Sequence, residues 1–256
     1  MLVIAGFPCQ TFSVIGRKAG FDDKRGQLIF TLANILTYLQ PKYFLFENVK
    51  GLKTHNKGKT LSLILETLKN SGYEVYHNIL TTLDYGVPQM RQRIYFVGIR
   101  KDLPHSKDFI WPDKQKSSID FSTYLTEEMP ITDINLMYFK KYLLNSTNNG
   151  KHKLENLLKK ENAILDSRMN DLRIYENKMP TLRSQRDGIY YVKNKKLYQL
   201  TGTEALLFQG FPKEKIMDLK NTISDRHLLM QAGNAMSVNV IKEIGLKILE
   251  TQEELL

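Results

Sequence analysis

The first hundred residues carry apolar runs of two periods in alternation, and that alternation leaves few folds open. Residues 2–5 are a short β-branched and apolar run stopped by Gly6 and Pro8, which reads as a strand feeding a loop. From Gln27 to Gln40 the apolar positions Leu28, Ile29, Leu32, Ile35, Leu36 and Leu39 follow helical spacing, and Pro41 ends the pattern. Tyr43-Phe44-Leu45-Phe46 then reads as a buried strand running into Glu47-Asn48-Val49. A second helix is expected over about 59–70, closed by Gly72. Strands follow at about 73–80 and 93–99. Strand and helix in turn predict an α/β unit with a largely parallel sheet.

The character changes near residue 101. From there to about 200 the chain is rich in Lys, Asn, Ser and Thr, with scattered aromatics and weak periodicity, as expected of a smaller inserted domain. Leu200 to Phe208 is helical again, Phe211-Pro212 breaks it, and Val238 to Leu249 is an amphipathic terminal helix. A hydrophobic content of 42% with 25% charged residues belongs to an ordinary globular protein. Lys plus Arg exceed Asp plus Glu by 37 to 27, giving a net charge of +10, which suits a polyanionic partner and equally a basic housekeeping surface. The single cysteine, Cys9, excludes an internal disulfide and argues against a cysteine-based zinc site. It fits a reducing, cytoplasmic setting. No apolar run approaches the ~20 residues needed to span a bilayer, and the first residues lack the features of a signal peptide.

Gly6-Phe7-Pro8-Cys9-Gln10-Thr11-Phe12-Ser13 puts the cysteine on a loop directly after a buried strand. The carboxyl ends of strands are where sites gather in α/β sheets. A thiolate there is a nucleophile if positive neighbours or a helix N-terminus lower its pKa, and otherwise a small buried hydrophobe. A carboxylate, Glu47, also stands at a strand's carboxyl end. In Gln89-Met90-Arg91-Gln92-Arg93, strand alternation places Gln89, Arg91 and Arg93 on one face. A thiol, an acid and two same-face arginines at neighbouring strand ends make a coherent site for attack on an electron-poor ring.

These residues resemble the motifs of the DNA (cytosine-5)-methyltransferases. Pro8-Cys9-Gln10 matches that family's nucleophile motif, Glu47-Asn48-Val49 its Glu-Asn-Val motif, and Gln89 to Arg93 its Gln-x-Arg-x-Arg motif. Gly26-Gln27-Leu28-Ile29-Phe30 looks like the helix motif between the first two. Gln209-Gly210-Phe211-Pro212 and Gly233-Asn234-Ala235-Met236-Ser237-Val238 resemble the last two. The resemblance implies an α/β fold: a partial S-adenosylmethionine-dependent, Rossmann-like sheet with a smaller inserted target-recognition domain. The expected division is residues 1–104 for the catalytic half-domain, 105–199 for target recognition, and 200–256 for the return to the catalytic domain.

The implied chemistry is methyl transfer from S-adenosylmethionine to C5 of a flipped cytosine, in a restriction–modification setting. Cys9 attacks C6, Glu47 acts at N3, and Arg93 with Arg91 holds the base and offsets charge at O2. Phe7, Pro8, Asn234, Ala235 and Met236 are the implied contacts to the methyl donor. Gln10, Ser13, Arg17 and Gln89 are implied contacts to double-stranded DNA. Within 105–199, Met179 to Gly188 resembles the recognition core, with Arg183, Gln185 and Arg186 expected at base edges. No metal is expected.

The sequence departs from the family pattern in lacking a Phe-x-Gly-x-Gly loop and the two acidic residues that cradle most of the donor. The sequence is therefore expected to be one subunit of a split enzyme whose second polypeptide supplies those motifs, a fragment or frameshifted reading frame, or a piece cut from a longer protein, and it is not expected to methylate alone. Gly58-Lys59-Thr60 is no P-loop, because Lys53 stands where the first Gly is required. Thr203-Glu204 stands where the family usually carries Arg-Glu. The alternatives are a tRNA cytosine-5 methyltransferase, which shares two of the motifs, and a catalytically silent fragment that binds DNA.

Overall fold

The computed structural model describes residues 1–7, 28–115, 119–169, 171–184 and 188–253. In chain order the first elements are β1 (Leu2–Gly6), α1 (Leu28–Leu39), β2 (Tyr43–Val49), α2 (Lys59–Asn70) and β3 (Tyr73–Thr81). Next come β4 (Gln89–Met90), β5 (Gln92–Arg100), α3 (Asp133–Leu143), α4 (Leu154–Leu157), β6 (Ala163–Ser167) and β7 (Leu172–Glu176). The last are β8 (Met179–Pro180), β9 (Ile189–Lys193), β10 (Lys196–Gln199), α5 (Gly202–Leu207), α6 (Lys213–Lys220), α7 (Asp225–Asn234) and α8 (Val238–Glu253). The α/β reading holds. Among the described residues no helix is long and apolar enough to cross a membrane.

The chain forms two compact units. The first comprises Met1–Thr81, Gln92–Lys114 and Val240–Leu256. Its sheet runs β1-β2-β5-β3. The expectation of a largely parallel sheet is corrected here. β1 and β2 are parallel, but β5 runs antiparallel to both β2 and β3. The reason is the connection: only residues 82–91, with no crossover helix, link β3 to β5, and a short link joins antiparallel neighbours.

The first core is aromatic at its centre. Phe44 stacks on Phe46 with ring centroids 4.5 Å apart and meets the edge of Tyr73 at 5.2 Å. Ile29 and Leu36 from α1, and Ile64 and Leu68 from α2, join the same cluster. Their seven- and four-residue spacings fall on the stripe by which a helix covers a sheet. β2 is buried along five successive residues, which matches a strand covered on both faces. Gly98 faces Phe44 across the β2–β5 register, and a Cβ there would lie 1.9 Å from the Phe44 ring. The glycine is what admits the ring.

The second unit comprises Thr82–Arg91 and Gln115–Asn239. Its antiparallel sheet runs β10-β9-β6-β7, and both faces are covered. Successive residues of β6 alternate between two cores. Ala163 and Leu165 pack with Phe139, Leu143 and Leu157, while Ile164 joins Tyr191, Leu206 and Phe208. Double burial turns the expected polar alternation into a plain Ala-Ile-Leu run, which explains the weak periodicity of this region.

Residues 200–239 pack within this unit, although the sequence pattern groups them with the terminal helix. Leu200, Ala205, Leu206, Ile216, Leu228 and Ala232 all enter the cluster on the Ile164 side. The helices α6 and α7 are not foreseen by the sequence pattern; their weakly amphipathic runs are short.

The start of α5 holds a buried carboxylate. Thr201 and Glu204 form a capping box, with the Thr201 side chain accepting from the Glu204 amide and Glu204 accepting from the Thr201 amide. Glu204 is fully buried, and its other oxygen accepts from the Glu127 amide and the Tyr191 hydroxyl, each at 3.0 Å. Burial raises the Glu204 pKa above its ordinary 4.5, and the hydrogen bonds from Thr201, Glu127 and Tyr191 only partly oppose it.

Two outcomes follow from this packing. Gly98→Ala destabilises the first unit by about 2 kcal/mol through overpacking against Phe44, measured by denaturant unfolding. The native state holds the Glu204 proton more tightly than the unfolded chain does, so the stability this group contributes is full below 4.5 and declines as pH rises through the raised folded value. Urea unfolding between about pH 5 and about pH 8 should show that decline in the wild type, and Glu204→Gln should lack it at a lower overall stability.

Candidate functional site

In the first unit, the β2–β5 register brings an acid and a base together. Glu47 pairs with Tyr95 and Val49 with Arg93, so Glu47 and Arg93 are diagonal neighbours on one face. Arg93 Nε lies 2.9 Å from Glu47 Oε1, with side chains only 13% and 11% exposed. Arg93 also donates to the Gln92 carbonyl, and the ammonium of Lys50 donates to Gln92 Oε1 at 2.6 Å. Water is largely excluded from this pair, so its electrostatic interaction is screened far less than that of a surface pair. Beside it Asn48 is buried; its Oδ1 accepts from the Val49 amide, and its Nδ2 has no acceptor among the described residues. Phe7, at the end of β1, is buried in the same unit with its ring 6.3 Å from Phe96.

The expectation of one continuous strand face for Gln89, Arg91 and Arg93 is corrected. The strand is interrupted at Arg91: β4 ends at Met90 and β5 begins at Gln92. Gln89 and Arg91 belong to the second unit, where both are buried. Gln89 donates to the Phe208 carbonyl and accepts from the Leu182 amide. The Arg91 guanidinium donates to the carbonyls of Leu182 at 3.0 Å, Gly233 at 3.4 Å and Ala235 at 2.8 Å. These side chains hold backbone of the second unit.

A second buried glutamine supports the same turn. Gln209 donates to the Ala232 carbonyl at 2.6 Å and accepts from the Ser237 hydroxyl, which in turn pairs with Thr82 at 2.8 Å. The Gln209 carbonyl takes the Val238 amide. Sequence reasoning marked Gln209-Gly210-Phe211-Pro212 as a motif without assigning the glutamine a role. Its signal was a long amide side chain inside an otherwise apolar stretch. Lys50 was missed altogether, since one lysine among many carries no signal.

On that turn Asn234 is exposed, while Ala235 and Met236 are half-buried. An exposed amide and a thioether on a backbone held by Arg91 and Gln209 can contact the edge of a polar, ring-bearing ligand. Arg183 is half-buried. Pro8, Cys9, Gln10, Ser13, Arg17, Gln185 and Arg186 lie outside the described residues.

Comparison with known proteins bears on this arrangement. The chain is 38% identical over 244 residues to the Type II methyltransferase M.NgoBI of Neisseria gonorrhoeae, covering 94% of this chain and 71% of that protein. It is 34% identical over 258 residues to the Type II methyltransferase M1.ScrFI of Lactococcus lactis subsp. cremoris, covering 99% of this chain but only 63% of that relative's length. The fold is similar to that of the Entamoeba histolytica methyltransferase EhMeth, with a TM-score of 0.62 at 18% identity over 100% of this chain and 78% of that one. The sequence matches the family described as C-5 cytosine-specific DNA methylase over residues 1–250, and the chain belongs to that family.

Proposed function

We propose that this chain is the catalytic and target-recognition part of a DNA cytosine-5 methyltransferase of the restriction–modification type. The observation that carries the reading is the Glu47–Arg93 pair, held at 2.9 Å where the carboxyl end of β2 meets the start of β5. A carboxyl group and a guanidinium side by side match N3 and O2 of one cytosine ring. The family membership and the net charge of +10 support duplex DNA as the substrate.

In this proposal the target cytosine is flipped out of the duplex, at a cost of roughly a few kcal/mol. The Cys9 thiolate adds to C6, forming a C–S bond and moving the ring electron pair to C5. Glu47 hydrogen-bonds or protonates N3 as charge develops, and Arg93 balances the charge at O2. S-adenosylmethionine, when bound, supplies the methyl group. Loss of the C5 proton then restores the ring double bond as the C–S bond breaks and Cys9 leaves as thiolate. Asn234, Ala235 and Met236, and Phe7 and Pro8 of the nucleophile motif, would hold the donor. Gln10, Ser13 and Arg17 contact DNA beside the target. Arg183, with Gln185 and Arg186, meets base edges within the recognition region of residues 105–199. Residues 200–256 carry the last two motifs.

The glycine-rich loop and acidic residues that hold the remainder of the donor come from outside this sequence, on a preceding segment of the same chain or on a second polypeptide. The support for this is that the sequence contains no Gly-x-Gly, and that Leu2 and Ile4 of β1 are exposed at a sheet edge among the described residues.

Trapping tests the reading. Duplexes containing 5-fluorocytosine and labelled S-adenosylmethionine should yield a covalent adduct when a polypeptide bearing the missing motifs is present, and none with Cys9→Ser. No adduct in either condition, or transfer to tRNA in place of duplex DNA, overturns the proposal. Glu47→Gln should slow methyl transfer by roughly 10²–10⁴-fold while leaving duplex affinity within about two-fold of wild type, measured by single-turnover kinetics and titration.

A further inference from the structure

Leu182, the residue before Arg183, has both of its backbone polar groups held by side chains from one short segment. Its amide donates to Gln89 Oε1 at 3.3 Å and its carbonyl accepts from Arg91 Nη1 at 3.0 Å. The stretch leading to it is held from the same place. β8 pairs in parallel with β4, the Met179 amide donates to the Pro88 carbonyl at 2.7 Å, and the Thr181 hydroxyl donates to the Met90 carbonyl at 2.6 Å. On its far side this stretch meets the turn at Gly233. A Cβ on that glycine would lie 2.1 Å from the Ser184 nitrogen and 2.3 Å from the Arg183 carbonyl carbon, so backbone rests on backbone. Arg91 closes the arrangement by donating to Gly233 and Ala235 as well.

A planar guanidinium suits this task, because its several donors point in fixed directions and reach carbonyls of separate segments at once. Lysine carries the same charge but no such fork. Gln89 is fully buried and Arg91 is 3% exposed, so neither meets DNA directly in this arrangement. A displacement of about 1 Å at a base-reading side chain is enough to lose a bidentate contact.

We propose that Gln89 and Arg91 are positioning residues for base recognition: they fix the 182–184 segment against the 233–235 turn and thereby set which base edge Arg183 meets. This rests on the reading of the chain as a duplex DNA binder and adds to it the determinant of sequence preference. The implied behaviour is a variant that keeps its affinity for phosphates, which depends on surface charge, and loses its choice among sequences.

The experiment uses the full 256-residue chain, a pool of duplexes randomised over a central window, and sequencing of the bound fraction, with thermal melting of each variant alongside. Wild type should enrich one sequence class. Arg91→Lys and Gln89→Met should each lower that enrichment about ten-fold or more, with total duplex affinity and its salt dependence within about two-fold of wild type. Thr181→Val removes one partly exposed hydrogen bond without changing side-chain volume, so it should fold even where the buried variants do not; it should lower the enrichment at the same positions by a smaller factor. Leu157→Ala loosens the second unit through a different core cluster and should keep the preference. Preference retained in Thr181→Val and in whichever buried variants fold, or lost equally in Leu157→Ala, overturns the positioning role alone. A wild-type chain that binds duplexes without preference also overturns it, whereas a chain that does not bind duplex DNA overturns the functional reading beneath it.

Discussion

The antiparallel register of β2 against β5 is the constraint on which the first unit and its site depend. Phe44 fits at its rung only because residue 98 has no side chain, and the same register three to five rungs on sets Glu47 diagonal to Arg93. A slip by one residue would turn Phe44 and Phe46 out of the core and send Arg93 to the opposite face from Glu47. Core packing and site geometry are therefore held by one set of backbone hydrogen bonds. The aromatic core stabilises the register, and the register presents the acid and the guanidinium at the sheet's end.

In the second unit buried side chains hold irregular backbone. Gln89, Arg91 and Gln209 satisfy carbonyls left open at the ends of α5 and α7 and both backbone polar groups of Leu182. Burying such groups without partners would cost more than the hydrogen bonds gain, so each long polar side chain in this interior answers a backbone group left over by a turn. Glu204 works in the same way at the start of α5, with its carboxylate taken up by the amides of Thr201 and Glu127 and the hydroxyls of Thr201 and Tyr191. The Thr-Glu pair at 203–204 keeps this acid, although the family pattern usually carries Arg at the first position.

The strands and helices of the first unit were legible because their signals are local. Apolar period, Pro41 and Gly72 mark α1, α2 and the flanking strands to within a residue or two of β1 (Leu2–Gly6), β2 (Tyr43–Val49) and β3 (Tyr73–Thr81). The direction of β5 was not legible from alternation alone, since it depends on what the 82–91 connection omits. The second sheet was hidden for the opposite reason: burial on both faces erases the polar alternation by which a strand is recognised. Arg91 shows the same limit at the level of one residue. A motif written as Gln-x-Arg-x-Arg invites a single strand face, and a break at Arg91 sends its first two members to one unit and its last to the other.

The sequence by itself determined the family and the α/β class, because motif order and hydrophobic period are properties of the chain alone. Tertiary structure decided which partners the motif residues meet: Arg93 meets a carboxylate, while Arg91, two positions earlier and of the same type, donates to the carbonyls of Leu182, Gly233 and Ala235. A guanidinium takes its role from what packs around it, and that is set by register and by the approach of distant backbone, neither of which is written in local spacing.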